Sequence, residues 1–220
     1  MSSTNRWYDR HRNDYYVTPQ DHVRLFMKRF MQDQWRTHED LEQKRIIDPC
    51  AGWDANNDMS YPAILFEQGA NYYRTLTLDK REDSGSKYQW DFLEWPHRRT
   101  HRENWNTLWV CTPEIIISNP PFNLALDFIK KWLELVDDWG FVIYLLRLNF
   151  VWSKIRKSFF DKHMPKYIYV HHERMNFIPD SMKKEMKARG EKPPSWDSIE
   201  YAHFVFQKWY QWESSELFIL

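Results

Sequence analysis

A doubly wound α/β sheet with helices on both faces is the fold class this sequence predicts, and three observations lead there. Segments of strand character and segments of helix character alternate along the chain. The strand segments, above all 114–118 and 141–146, are unbroken apolar runs, which suits strands covered on both faces. Three of the five glycines, Gly52, Gly69 and Gly140, fall where a strand and a helix would meet. No internal repeat or low-complexity stretch interrupts the pattern.

In chain order, a polar, aromatic N-terminal arm leads into residues 20–43, where Val23, Phe26, Met27, Phe30 and Met31 recur at helical spacing. Residues 45–48 form a short strand, followed by a loop. A helix is expected over 60–68, with Ser60 as its cap and Pro62 in its first turn, where the missing N–H of proline costs nothing. Residues 72–78 alternate as a strand that ends on Asp79. After the apolar strand 114–118, residues 124–135 have amphipathic helix spacing, and 141–146 is again a buried strand. Residues 152–160 are expected to be helical, 167–170 extended, and 200–207 the final strand.

A chain of 220 residues suits one domain with a substantial core, so residues 1–220 are expected to form a single unit. Much of its apolar mass is aromatic, with 13 Trp, 12 Tyr and 14 Phe, side chains that supply large buried areas and stacking faces. Lys plus Arg and Asp plus Glu both total 31, which excludes a global electrostatic pull on a polyanion and restricts any nucleic-acid surface to a local patch. The two cysteines, Cys50 and Cys111, make neither a disulfide framework nor a zinc site. Cys50 is expected to be a small packed residue and Cys111 a core residue. His97 with His101, and His171 with His172, lack further ligands at metal spacing, so no metal is expected. No apolar run approaches the ~20 residues that span a bilayer, and the opening MSSTNRWYDRHRND has no signal-peptide core, so no membrane is expected and a cytoplasmic location is.

In a doubly wound sheet, ligands bind beyond the carboxyl ends of the strands, near the switch in strand order. Those ends carry Asp48-Pro49-Cys50-Ala51-Gly52, then Asp79, then Asn119-Pro120-Pro121-Phe122. A glycine after the first strand lets backbone approach a ligand, and an acid closing the second can accept hydrogen bonds from a ribose diol. A dinucleotide would require G-x-G-x-x-G running into a helix to seat its pyrophosphate. Here a single glycine is followed by the acids Asp54 and Asp58, which suits a cationic or zwitterionic nucleoside such as S-adenosylmethionine better.

The stretch "IIISNPPFN", residues 115–123, is the sharper signal. Proline removes a ladder donor and locks φ, so the strand must end here, and Pro121 pushes Pro120 out of the helical region. The Asn119 and Pro120 carbonyls then leave the sheet in nearly fixed directions. The exocyclic amine of a base is a poor nucleophile, because its lone pair is delocalised into the ring. Two acceptors aimed at its N–H bonds, Asn119 Oδ1 and the Pro120 carbonyl, favour the rehybridised amine that can attack a methyl group. Phe122 would stack on a base flipped from its helix.

With these residues in place, the sequence resembles the amino-methylating, S-adenosylmethionine-dependent DNA methyltransferases of the adenine-N6 group, most closely small phage-type members. The resemblance runs from about residue 16 to 207 and implies a Rossmann-like class I methyltransferase sheet. Tyr16-Val17-Thr18-Pro19 resembles the family's N-terminal cofactor motif, which contacts the methionine part of the cofactor. Asp48-Pro49-Cys50-Ala51-Gly52 resembles its first-strand motif and Asp79 its ribose-binding acid. Asp91-Phe92-Leu93 resembles the segment that holds the cofactor's adenine, with Asp91 on the amino group and Phe92 against the ring. Asn119-Pro120-Pro121-Phe122 is similar to the catalytic tetrapeptide in its Phe form, and 145–150 and 198–202 resemble later parts of the phage-type pattern. Many relatives carry a second glycine where this chain has Asp54, a departure that bears on cofactor affinity.

A target-recognition region is expected within 151–198, since no large separate recognition domain is present. Between Val151 and Lys192 eleven Lys or Arg face five Asp or Glu, interleaved with Trp152, Phe159, Phe160, Tyr167, Tyr169 and Phe177. Cations for phosphates and aromatics for unstacked bases are what a nucleic-acid face requires, and Lys154, Arg156, Lys157 and Arg174 are the expected phosphate contacts. The cluster 97–102 is a second basic patch, and 190–194 reads as a loop suited to target capture. The resulting expectation is methyl transfer from S-adenosylmethionine to adenine N6 in DNA, without a metal. Three rivals stay open: adenine in RNA, the side-chain amide of a protein glutamine, and a non-catalytic nucleic-acid-binding protein on the same fold. Cytosine-N4 transfer ranks lower, because those enzymes usually place Ser where Asn119 stands.

Overall fold

The computed structural model of the chain describes residues 17–34, 38–52, 58–94, 112–175, 177, 185–191 and 199–220. Helix α1 (Gln20–Gln34) turns its predicted stripe of Val23, Phe26, Met27, Phe30 and Met31 inward, and all five are buried. A short α2 (His38–Glu42) precedes β1 (Ile46–Asp48), α3 (Ser60–Glu67), β2 (Thr75–Asp79) and the two-residue β3 (Tyr88–Gln89). Then come β4 (Ile115–Ser118), α4 (Ala125–Leu135), β5 (Phe141–Arg147), α5 (Lys157–Phe160), β6 (Tyr167–Val170), β7 (Tyr201–Gln207) and β8 (Glu216–Ile219).

The strands form one sheet in the order β3-β2-β1-β4-β5-β7-β6-β8. Strands β1 to β5 run parallel, β7 enters antiparallel between β5 and β6, and β8 pairs parallel with β6. The unbroken apolar runs serve two cores, because successive side chains on a strand point to opposite faces. Ile115, Ile117, Ile143 and Leu145 pack under α1 and α3, while Ile116, Val142, Tyr144 and Leu146 pack against α4 and α5. This is the doubly wound arrangement expected from the sequence. The order reverses between β1 and β4, which puts the predicted ligand crevice at their carboxyl ends.

Several expectations are corrected. Met59 is the N-cap of α3; Ser60 lies inside the helix and its hydroxyl donates to the Thr18 carbonyl at 2.6 Å. Residues Tyr72–Arg74 form a 3-10 turn, because the Asn71 side chain accepts from the Tyr73 N–H at 2.9 Å and closes the backbone before the strand can start. The helix expected over 152–160 is broken into 3-10 turns at Leu148–Trp152 and Lys154–Arg156, and only α5 is α-helical. The strand at 200–207 is not the last, since β8 adds to the edge of β6. Strict alternation of strand and helix fails at β8, which follows β7 with no helix between them.

At the end of the strands away from the crevice, Arg45 links Glu114 and Asp137, at 3.4 and 2.9 Å. Gly140 sits in the same corner; a Cβ there would lie 2.6 Å from Val136 Cγ2 and 2.9 Å from the carbonyl oxygens of Asp137 and Glu114. Among the described residues no helix is long and apolar enough to cross a membrane, and no three His, Cys, Asp or Glu side chains are grouped to hold a metal ion.

Candidate functional site

The loop after β1 is built around two buried carboxylates. Asp48 Oδ1 accepts from the Cys50 N–H at 3.1 Å and from the Ser118 hydroxyl at 2.5 Å, which ties the end of β1 to the end of β4. Its Oδ2 is buried and accepts nothing. Burial pushes the Asp48 pKa up from 3.8 to about 7; the Ser118 and Cys50 hydrogen bonds oppose the rise and the charge of Asp79 adds to it. Asp79, at the end of β2, accepts from the Gly52 N–H at 3.0 Å through Oδ2, and from the Arg81 N–H and Nε at 2.9 and 3.2 Å through Oδ1. The Gly52 carbonyl accepts from the Ser84 hydroxyl at 2.6 Å. Gly52 has φ of 72°, a left-handed conformation that favours glycine and turns its N–H toward the second strand. Burial, with the nearby charges of Asp48 and Asp79, pushes the Cys50 thiol up and favours its protonated form.

These residues border an open cleft with about 760 Å³ of empty space, open solvent included. Pro49, Cys50, Ala51, Gly52, Asp79 and Thr18 all line it. Asp91 and Phe92 reach the cleft from the 3-10 turn that follows β3, and Asn119 and Pro121 reach it from the end of β4. Pro19, Asp48, Pro120 and Phe122 do not line it, and Tyr16 and Asp54 lie outside the described residues. The clusters around His97 and His101, Cys111, and most of 178–198 also lie outside them.

Asp91 Oδ1 caps its turn by accepting from the Leu93 N–H at 2.9 Å, and its other oxygen lies 3.8 Å from Lys80 Nζ. Phe92 is buried, with its ring stacked on Trp132 at 4.1 Å and 7° and Lys131 Nζ 5.1 Å from its centroid. One aromatic face is therefore already committed to the core. Trp90, two residues earlier and 40% exposed, also lines the cleft and was not flagged by the sequence, as were neither Tyr61 nor Arg81.

Asn119 Nδ2 donates to Thr18 Oγ1 at 3.0 Å, while Asn119 Oδ1 is buried and without a partner. The Pro121 carbonyl accepts from the Leu124 N–H at 2.9 Å, which turns the chain into α4. Phe122 is half-buried between the two cores, its ring 5.8 Å from Tyr201 at 35°. The Arg147 guanidinium lies 5.0 Å from the Phe122 centroid, and Arg147 Nε is buried without a partner.

The four expected phosphate contacts have different surroundings. Lys154 is exposed on the segment that leaves the carboxyl end of β5, beside Trp152 and Ile155, which are 81% and 86% exposed. Arg156 is half-buried: it stacks over Phe150 at 4.2 Å and donates to the Phe150 carbonyl at 2.7 Å, and burial lowers its pKa. Lys157 pairs with Asp161 at 2.8 Å and Arg174 with Glu200 at 3.6 Å, both on the surface.

No protein-family model and no curated protein matches this chain by sequence. Solved structures match it by shape. A candidate RNA methyltransferase from Pyrococcus horikoshii superposes with a TM-score of 0.54 at 14% identity, over 89% of this chain and 88% of that one. The type IIG restriction endonuclease BpuSI gives 0.58 at 12% identity over 94% of this chain, which spans only 27% of that protein. The M protein of the type I restriction enzyme EcoKI gives 0.50 at 12% identity, over 88% of this chain and 44% of that one. At these identities the likeness is one of fold, and the fold is the Rossmann-like methyltransferase fold.

Proposed function

We propose that this chain is an enzyme that transfers a methyl group from S-adenosylmethionine to the N6 amine of adenine in DNA. The observation that carries the reading is Asn119 Oδ1, a buried acceptor with no donor at the end of β4, on a residue in the wall of the same cleft as Gly52 and Asp79. An unpaired buried acceptor costs about 1–3 kcal/mol, and an aromatic amine brings the N–H donors that relieve it. With the Pro120 carbonyl as second acceptor, the amine is drawn toward the form whose lone pair can attack.

The residues of the cleft fit S-adenosylmethionine. Asp79 Oδ2 accepts from Gly52 alone and so keeps capacity for a ribose hydroxyl. Trp90 and Asp91 offer a ring surface and an acceptor for the adenine end, and Phe92 backs them as a packed wall. Asp58, Asp79 and Asp91 outnumber Lys80 and Arg81 in the lining, a balance that suits a sulfonium and an ammonium better than a pyrophosphate. When bound, this cofactor supplies a methyl group on a positively charged sulfur. Phe122, with the Arg147 guanidinium beside its ring and the buried Tyr201 behind it, is the ring on which an extruded base would stack. Duplex binding falls to the region within 151–198, with Lys154, Arg156, Lys157 and Arg174 as the proposed phosphate contacts and Trp152 beside them.

Incubation with tritiated-methyl cofactor and separate pools of DNA, RNA and protein, followed by mass spectrometry of the nucleosides, tests the reading. Label recovered as N6-methyladenine from DNA is the expected result. Label in RNA or in protein glutamine moves the substrate and keeps the chemistry. No label, together with no heat of cofactor binding, leaves a non-catalytic binding protein.

A further inference from the structure

The geometry points to Thr18 as the positioning residue for Asn119: its hydroxyl oxygen accepts from the amide nitrogen and so holds the amide oxygen toward the target amine. The inference rests on the methyl-transfer reading above and names what orients the acceptor in it. A primary amide has a donor end and an acceptor end of nearly the same shape. Only the acceptor end is useful against an amine, since the other sets N–H against N–H. If Oδ1 is to meet the substrate, Nδ2 must meet an acceptor of the protein.

Thr18 Oγ1 is that acceptor, 3.0 Å from Nδ2 and 101 residues away in sequence, so the contact is no by-product of local chain geometry. Thr18 is 4% exposed, and burial keeps bulk water from taking over its role. The residue is itself held from two directions. Its carbonyl accepts from the Ser60 hydroxyl at 2.6 Å, and the next carbonyl, that of Pro19, accepts from the His22 and Val23 N–H groups at 3.2 and 3.3 Å and starts α1. Thr18, Ser60 and Asn119 all line the cleft. The amide is thus clamped by the start of α1 and the start of α3, outside the strand that carries it. Valine at position 18 would keep the shape and remove the acceptor, and serine would restore it.

The test compares Thr18→Val, Thr18→Ser and Asn119→Ala in the full chain by kcat, KM for the DNA substrate, cofactor Kd and melting temperature. In Thr18→Val kcat is expected to fall by about 10²-fold, the scale of a misoriented reacting group, with melting temperature close to wild type and recovery in Thr18→Ser. Side-chain amide exchange by NMR reads the contact without any turnover: the Asn119 NH₂ protons should exchange slowly in wild type and faster in Thr18→Val. Wild-type kcat in Thr18→Val beside an inactive Asn119→Ala overturns the positioning role and leaves the methyl-transfer reading standing. A Thr18→Val defect confined to cofactor Kd also overturns it, making Thr18 a cofactor contact only. Equal exchange rates in the two proteins overturn it whatever the activity. If Asn119→Ala methylates normally, the methyl-transfer site itself falls, and the inference with it.

Discussion

Tyr61 Oη, on the cleft wall, lies 2.9 Å from His203 Nε2, and His203 Nδ1 lies 2.8 Å from His171 Nε2. His203 is fully buried on β7 with Phe26 stacked on its ring at 3.9 Å, and His171 is within 5.2 Å of His22. Burial, then the neighbouring imidazoles, holds His203 well below 6.5 and His171 down at about 3. Both are neutral in the fold and would charge in the unfolded chain. Their contribution to stability is therefore complete above pH 6.5 and is lost as pH falls toward 3. Asp48 acts oppositely: raised from 3.8 to about 7, it stabilises below 3.8 and loses that contribution as pH rises through 7. Each group can contribute up to about 1.4 kcal/mol per pH unit, so two histidines outweigh one carboxyl. Unfolding in urea across the window from 3.8 to 6.5 should show stability falling on acidification, and Asp48→Asn should steepen the fall. A flat profile would mean the imidazoles are not neutral in the fold.

Asp79 holds more than a ligand. The sequence alone predicts that Asp79→Ala weakens cofactor binding and leaves the fold intact. In the structure the carboxylate also anchors Gly52 and the buried Arg81 guanidinium, which keeps Asp83 as its other carboxylate partner. Losing one hydrogen-bonded charged partner costs about 1.5–3 kcal/mol. Asp79→Ala should lower the melting temperature as well as cofactor affinity, and Asp79→Asn should show the binding loss with less damage to the fold. Calorimetry of cofactor binding beside thermal melts separates the two; unchanged cofactor Kd in Asp79→Asn removes Asp79 from the site.

Asn119→Ala should leave cofactor binding near wild type and reduce methyl transfer by about 10²–10³, as removal of one preorganised polar group at a reacting centre does. Phe122→Ala removes a stacking surface worth roughly 1–3 kcal/mol per base, so its defect should appear in DNA binding and shrink on a mismatched target base. Phe122→Trp should retain part of the activity. Wild-type turnover in Asn119→Ala would reduce "IIISNPPFN" to a strand end with a proline turn.

Lys154→Ala should weaken binding to all DNA sequences alike and lower the salt slope by about one unit. Arg156→Ala should differ, because Arg156 stacks on Phe150 and bonds its carbonyl. Its loss should lower thermal stability in addition to any change in salt slope. Affinities measured over a salt series, with a melt for each variant, check both; an unmoved slope in Lys154→Ala would make that residue plain surface.

Gly140→Ala should destabilise by about 1–3 kcal/mol, the usual cost of overpacking, because its Cβ would meet two backbone carbonyls that cannot step aside. Methyl transfer per folded molecule should not change, since the corner lies at the opposite end of the strands. Melting temperature and specific activity together check this, and an unaltered melt would show that the turn relaxes freely.

What could be read from the sequence was whatever local chemistry determines. The helix of Val23, Phe26 and Phe30 and the strands around Ile116 and Ile143 announce themselves by period and apolarity. The strand ends followed, because an open α/β sheet concentrates ligand groups there. Ser60 was read as a cap because a serine before an apolar run usually is one, and here a carbonyl from another segment claims the hydroxyl. Tyr61, Arg81 and Trp90 were missed for a related reason: nothing beside them in sequence distinguishes them, and only the topology carries them to the cleft. The antiparallel entry of β7 and the short β8 depend on pairing partners far along the chain, which no window of residues contains.

The place of β7 has an evolutionary consequence. Val170, the last residue of β6, is directly paired with Ala202, and the His171 N–H donates to the Tyr201 carbonyl at 3.1 Å. The chain between them therefore departs and returns at adjacent points of a fixed register, next to Phe122. Its length can change without shifting a single strand pair. Insertions and exchanges in that stretch leave Asn119 and the strand-end loops behind it in an unaltered frame. Under the proposed function, selectivity and chemistry are in this way separately heritable within one small chain.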